Sequence, residues 1–286
     1  MPEGDTVWRT AQRLNQALAG EVITLWDLRF PSVATSDQRG ASTLQVVSRG
    51  KHLLQRLDSD LTLHSHLRME GQWRIEPAQQ SQSWLRRPDL RAAVGTTAWT
   101  ALGLRLGLLD LVPTAREVDV VGHLGPDLLG PDWEPAVAVA NLRTQPTTIG
   151  AALLDQRNLA GIGTLWAAET LFLERVSPWS TSSELTEPVV AGLVARVHRL
   201  MDAARHHATQ SSTGVRRHGE ETYVHARSGR PCRRCGQLVR VAMIGAPGRE
   251  RTMFYCPGCQ GGLGPTDDGR PQRPLGSTAR RPGSDR

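Results

Sequence analysis

Apolar and polar residues recur along this chain with changing period, and the changes mark its parts. From Asp5 to Ala19, Val7, Ala11, Leu14 and Leu18 fall at i, i+4, i+7 and i+11, one face of a helix. Asp5 or Thr6 can cap its start and Gly20 stops it. From Glu21 to about Val112 the pattern shortens to segments rich in Val, Leu, Thr and Trp, at 21–26, 43–48, 52–57, 61–67, 72–75, 96–102 and 105–112. Clusters of Gly, Pro, Asp and Ser separate them, which predicts an antiparallel sandwich or barrel. Residues 113–135 read as a linker, and helical spacing returns at 136–145, 149–155, 164–176 and 186–208. Strands at 237–243 and 251–255, joined by Gly245-Ala246-Pro247-Gly248, predict a short ribbon. The tail 261–286 has almost no apolar residues and is expected to be disordered. The pattern is that of an α+β chain with two domains: a helix plus antiparallel β-sandwich over 1–112, the linker 113–135, a helical domain over 136–231, and then the ribbon 232–260.

Composition narrows the class. With 286 residues and 39% hydrophobic content the chain can bury more than one core. No apolar run approaches the ~18 residues that a membrane span needs, and no leader-like segment opens the chain, so a cytoplasmic protein with no membrane partner is expected. A net charge of +6 and a pI near 9.9 point to a polyanionic partner. Among 34 basic residues there is a single lysine, Lys51. Arginine replaces lysine as a cation or a donor fork, but it cannot supply a compact ammonium or a titratable amine. Lys51 is therefore a candidate functional residue.

The first residues carry chemistry of their own. Once Met1 is trimmed, as is usual before a small residue, Pro2 presents a secondary amine. An α-amino group titrates near ~8, so a useful fraction is neutral and able to form an iminium at an aldehyde-level carbon. Glu3 places a carboxyl beside it for proton transfer. The start of a helix just after Pro2 disfavours a protonated amine. In Leu63-His64-Ser65-His66-Leu67, strand alternation puts both histidines on one face, for packing or phosphate contact rather than metal, since no third ligand is near in sequence. The paired glycines of Gln156-Arg157-Asn158-Leu159-Ala160-Gly161-Ile162-Gly163 permit a turn whose amides can hold a phosphate, or an ordinary helix hairpin.

All four cysteines lie in Cys232-Arg233-Arg234-Cys235 and Cys256-Pro257-Gly258-Cys259. Two CxxC knuckles 20 residues apart read as one structural zinc site, closed to catalysis because four thiolates leave no open position. Arg233, Arg234, Arg240, Arg249 and Arg251 make the ribbon basic and suited to phosphates.

Together these stretches carry a resemblance. Pro2-Glu3-Gly4, Arg49-Gly50-Lys51, His66-Leu67-Arg68-Met69-Glu70-Gly71, the His123–Leu128 segment, Leu154-Asp155-Gln156 through Gly161-Ile162-Gly163 and the terminal ribbon occur in the order seen in the formamidopyrimidine-DNA glycosylase and endonuclease VIII family. The similarity spans roughly residues 1–262. It implies a bifunctional base-excision-repair glycosylase and AP lyase, monomeric and nucleoid-associated in a bacterium. It also implies a helix–two-turn–helix element and a zinc finger beside the sandwich. By this resemblance Pro2 is the nucleophile, Glu3 the proton donor and shuttle, Lys51 a lysine supporting catalysis and phosphate binding, and Arg251 the ribbon arginine that grips phosphate. His66, Met69, Arg105, Gln156, Gly161, Gly163 and Thr164 would meet DNA, Met69 filling the hole left by a flipped base.

Three departures bear on lesion choice. Asp5-Thr6 stands where endonuclease VIII sequences have Pro-Glu, and Thr164 replaces an asparagine after the Gly-x-Gly turn. Arg105-Leu106-Gly107 lacks the aromatic wedge of the purine-specific branch. Gly4 and the missing phenylalanine favour the endonuclease VIII branch and oxidised pyrimidines, while Met69 leans towards the 8-oxoguanine branch. An abasic-site lyase with little glycosylase activity and a non-catalytic DNA-binding module are the alternatives.

Overall fold

A computed structural model describes residues 2–274. The chain packs as two compact units, each drawn from separate stretches of sequence. Among the described residues the first comprises the chain up to Ala138, Asp155–Ile162 and Met201–Ala208, and the second Val139–Leu154, Gly163–Leu200 and the chain from Thr209.

The first unit opens with helix α1 (Gly4–Leu18). It begins one residue before the predicted cap because Gly4 N donates to Gly161 O at 2.8 Å, a tertiary bond that satisfies a first-turn amide. Eight strands follow, β1 (Leu25–Leu28), β2 (Thr43–Arg49), β3 (His52–Leu57), β4 (Leu61–His66), β5 (Gln72–Pro77), β6 (Leu90–Gly95), β7 (Trp99–Leu104) and β8 (Leu108–Pro113). They form two antiparallel sheets in the orders β2-β3-β4-β8 and β1-β6-β7-β5. One core joins them: Val7, Ala11, Leu14 and Leu18 of α1 pack with Leu53, Leu57 and Leu63 of one sheet and Trp26, Trp73 and Val94 of the other.

Strand β6 escaped the sequence pattern for a physical reason. Ala92 and Val94 face the main core while Leu90 and Ala93 face a second cluster under Trp84 and Leu85, so the strand is buried on both faces and shows no alternation. The 113–135 stretch is not an open linker. It contains helix α2 (Val118–Val121), and Glu117 just before it accepts from Arg56 Nε and Thr62 Oγ1 on the first sheet, both at 2.7 Å.

Helices α3 (Pro135–Arg143), α4 (Ile149–Leu154), α5 (Thr164–Leu173) and α6 (Glu187–Ala204) follow, then the hairpin of β9 (Arg240–Ile244) and β10 (Arg251–Tyr255). Within the second unit, Glu169 of α5 is fully buried and accepts the N–H groups of Tyr223, Val224 and His225 at 2.7–2.8 Å. One side chain thereby organises a segment with no regular structure of its own. The ribbon is tied to α5 by Arg234, whose guanidinium lies 4.2 Å from the centroid of the Phe172 ring and donates to Phe172 O.

The tail corrects the expectation of disorder for residues up to 274. Asp267 accepts from Arg240 and from Tyr255 Oη, and Gln272 exchanges two 2.8 Å bonds with the backbone of Val241 on the open edge of β9. The Arg240 pairing holds the Asp267 carboxyl down to about 2, while burial pushes Tyr255 up to about 12. The rest of the predicted disordered tail lies outside the described residues. No helix among the described residues is long and apolar enough to cross a membrane.

Candidate active site

Glu3 and Gly4, which follow Pro2, are fixed through their backbone by Val7 N on Glu3 O and by Gly4 N on Gly161 O. Glu3 stands in the N-cap position of α1 with extended backbone (φ −110°, ψ 179°) and is 1% exposed, while Pro2 is half-buried. Gly4 lies against Gly161, so close that a Cβ at Gly4 would stand 2.9 Å from Gly161 Cα. Gly161 has φ 102°, which glycine alone adopts freely. The glycine pair thus joins the N-terminus to the 156–162 turn, which the sequence had offered as a phosphate cradle or a plain hairpin.

That turn is braced from within. Gln156 accepts from Gly161 N at 3.0 Å and donates through Nε2 to Ile162 O at 2.9 Å. Both ends of the Gln156 amide are therefore spent on shaping the turn. Lys51 Nζ donates to the same Ile162 carbonyl, which brings the lone lysine to the turn that holds Gly4. The β2–β3 turn carrying Lys51 is fixed in its turn by Asp127, whose Oδ2 accepts from Gly50 N at 2.7 Å and whose Oδ1 accepts from Leu129 N at 3.1 Å. Burial raises the Asp127 carboxyl above its ordinary range despite these two bonds. The first unit thus gathers Glu3, Lys51, Asp127 and the 156–162 turn at one place. Sequence reading had marked the 123–128 segment without finding that Asp127 is its anchor.

Next to Lys51 stands a histidine cluster. His52 and His66 are cross-strand partners, and His52 Nδ1 lies 2.8 Å from His64 Nε2. His123 brings a fourth ring 6.3 Å from His52. Burial and then the neighbouring positive or imidazole groups push His52 down to about 3 and His66 down to about 4, and burial also lowers His64. Burial thus favours the neutral form of His52, His64 and His66. The two histidines predicted to share a face do so, with the sequence-distant His52 and His123 added by strand pairing and by the segment before α2.

Met69 and Arg105, both expected to meet DNA, occupy two adjoining loops. Met69 is 67% exposed at the tip of the β4–β5 loop. Arg105 takes a left-handed backbone (φ 49°) and its guanidinium lies 3.8 Å from Glu70 and 4.0 Å from Asp89. Leu106, between Arg105 and Gly107, is 4% exposed and packs inward in the core.

In the second unit, Gly163 caps α5 with extended backbone and Thr164 is its first residue, so the α5 start lies where the sequence placed it. The four cysteine sulfurs lie within 4.8 Å of one another, with Cys235 to Cys256 at 3.4 Å and Cys232 to Cys259 at 4.0 Å. A tetrahedron with Zn–S bonds of about 2.3 Å has edges of about 3.8 Å, and a disulfide would need about 2.05 Å, so the donor set fits zinc and excludes paired disulfides. Of the five ribbon arginines, three have structural work. Arg233 donates to Gly219 O and Thr222 O, Arg234 binds α5, and Arg240 is buried on Asp267; all but Arg240 are exposed. Arg240 alone of the five is buried and paired with a carboxylate.

Residues 1–101 match the formamidopyrimidine-DNA glycosylase N-terminal domain, and residues 124–215 match the H2TH domain of the same family. The chain belongs to the formamidopyrimidine-DNA glycosylase and endonuclease VIII family. Its relatives put it in the endonuclease VIII branch. A probable endonuclease 8 2 of Streptomyces coelicolor is 48% identical over 271 residues, covering 94% of this chain and 98% of that protein. A protein described as DNA-(apurinic or apyrimidinic site) lyase Nei2 from Mycolicibacterium smegmatis is 40% identical over 261 residues, 91% of this chain and 99% of its own. Among solved structures, Lactococcus lactis formamidopyrimidine-DNA glycosylase, non-covalently bound to DNA containing an AP site, superposes with a TM-score of 0.76 at 23% identity, covering 91% of this chain and 99% of that one.

Proposed function

We infer that this protein is a bifunctional DNA glycosylase and AP lyase of base-excision repair, acting on oxidised pyrimidines through a Schiff base at Pro2. The observation that carries the reading is the buried Glu3 beside Pro2, with Lys51 and Gly4 both bound to the 156–162 turn. Damaged DNA is the partner, and a flipped nucleotide is the reacting species. The Pro2 nitrogen attacks C1′ as Glu3 protonates the departing base or the ring oxygen. Opening of the sugar gives an iminium, which acidifies C2′–H. Loss of that proton expels the 3′ phosphate by β-elimination, and a further proton loss expels the 5′ phosphate by δ-elimination. Lys51, oriented by Ile162 O, would meet phosphate. Thr164, Gly163 and the exposed Arg251 would add phosphate contacts, and His66, Met69 and Arg105 would meet the strand near the lesion. The four cysteines would hold one Zn2+ that folds the ribbon and takes no part in the chemistry.

The pyrimidine assignment is supported by the inward Leu106 and by the endonuclease 8 relatives. A second reading, an abasic-site lyase with little base release, is favoured by the relative described as an AP lyase and by the same missing wedge. The test is borohydride trapping on duplexes carrying dihydrouracil or a preformed abasic site, with the adduct located by peptide mass analysis. An adduct at Pro2 from both duplexes is expected. Trapping from the abasic duplex alone selects the second reading. An adduct at Lys51 removes Pro2 as the nucleophile, and DNA binding without any adduct leaves only a binding module.

A further inference from the structure

The loop that carries Met69 has an unusual backbone, and a histidine supplies what holds it. Arg68 sits at φ 56°, in the left-handed region, which is unfavourable for a residue with a β-carbon. Its N–H points back along the chain and is donated to His66 Nδ1 at 2.9 Å. The same loop is pinned by Gly71 N on Leu67 O at 2.9 Å and by Gly107 N on His66 O at 3.1 Å. The Arg68 side chain fills the space above Gly107, where a Cβ would fall 2.0 Å from Arg68 Cγ.

The ring that accepts the Arg68 amide is itself held. His52 meets it edge to face at 4.9 Å and 82°, and His52 is bonded to the buried His64. Because Nδ1 accepts, the proton of the neutral His66 ring resides on Nε2. An imidazolium would carry protons on both nitrogens and lose this bond to Arg68.

We propose that His66 is a positioning residue for Met69: its Nδ1 caps the His66–Gly71 loop at the Arg68 amide, with His52 and His64 buttressing the ring, and so presents the methionine for insertion into the base stack. The inference goes beyond a phosphate contact by His66 and rests on the glycosylase reading for the role of Met69. The cap itself is a property of the free protein.

Two substitutions separate the two nitrogens. An asparagine side chain at position i accepts the N–H of residue i+2 in an Asx turn, so His66→Asn keeps the Nδ1 function and drops Nε2. His66→Gln extends its amide towards the Nε2 position and loses the turn. Full-length zinc-loaded wild type, H66N, H66Q and H66A are compared, with thermal melting and zinc content confirming that each is folded. Hydrogen–deuterium exchange of the 66–71 peptide is read without DNA, and single-turnover base release from a dihydrouracil duplex is read beside incision of a preformed abasic duplex.

A net hydrogen-bond worth of about 0.5–1.5 kcal/mol corresponds to an about two- to tenfold change. Faster exchange at 66–71 and base release slowed by about that factor are expected for H66Q and H66A, with abasic incision changed less. H66N keeps wild-type exchange at 66–71, and its base release is slowed only as far as the Nε2 nitrogen itself meets the strand. The proposal is overturned if H66N exchanges and reacts like H66A, if H66Q matches wild type while H66N does not, or if all three variants keep wild-type exchange. Inactivity of the wild type on both duplexes would sink the glycosylase reading, and the exchange pattern would still decide the cap.

Discussion

Gly4→Ala tests the claim that the reactive end of the chain is placed by a glycine–glycine contact. In a free helix the change is favourable, because alanine exceeds glycine in helix propensity by about 1 kcal/mol. Here the added Cβ would stand 2.9 Å from Gly161 Cα and 3.1 Å from Gly161 O, and both of these are backbone atoms. Carbon atoms in ordinary contact lie about 3.5–4.0 Å apart, so the two segments must separate by roughly 0.6–1.1 Å. That movement stretches the Gly4 N to Gly161 O bond, now 2.8 Å. Overpacking of about 1–3 kcal/mol plus a weakened bond of about 1 kcal/mol outweighs the helix gain, for a net loss of roughly 1–3 kcal/mol. Pro2 and Glu3 move with Gly4, and misplacement by about 1 Å costs a reaction about 10²-fold. Single-turnover incision of an abasic duplex by G4A is therefore expected to fall by about 10- to 100-fold, with a melting temperature lower by a few degrees. Gly192→Ala is the control, since a Cβ there meets only Glu174 Oε2 at 3.8 Å and should stabilise α6. Wild-type incision and melting by G4A would refute the close-contact argument.

Three further outcomes are expected. Glu169→Ala removes the acceptor of three backbone amides and of Ser212 Oγ, so unfolding should become easier by about 3–5 kcal/mol and the 212–225 segment should become protease-sensitive; a change under about 1 kcal/mol in denaturant melts would contradict the anchoring role. His52 and His66 titrate lower folded, at about 3 and about 4, than the ordinary 6.5, so the unfolded chain binds more protons in between. Stability is full above about pH 6.5 and is lost towards pH 4 and below, by at most about 2 kcal/mol per histidine at pH 5, and urea midpoints that do not differ between pH 7 and pH 5 would disprove it. Zinc analysis should find one ion per chain, and its removal by a chelator should unfold the ribbon and abolish DNA retention while the sandwich keeps its β signal in circular dichroism; a metal-free protein that still retains DNA would refute the structural zinc.

What the sequence determined by itself was set by local chemistry and short-range period. The α1 face, most strands, the helix starting at Thr164 and the two cysteine knuckles were legible because helix spacing, turn residues and metal-ligand spacing are written within a few residues. So was the suspicion of Lys51, from its being the one lysine. Tertiary structure alone decided what each of these touches. Strand β6 is hidden from the pattern because burial on both faces erases alternation, and Glu169, an ordinary helix glutamate in sequence, becomes the acceptor of amides more than 50 residues away. Arginines 233, 234 and 240 look alike in sequence, but folding gives the first two backbone carbonyls while they stay exposed and buries the third on Asp267. The tail of 261–274 is polar enough to read as disordered, yet Asp267 and Gln272 find partners on β9 that no local pattern announces. Gly4 and Gly161 meet across 157 positions of sequence, since a contact between backbones depends on how distant segments pack and leaves no periodic trace in either one.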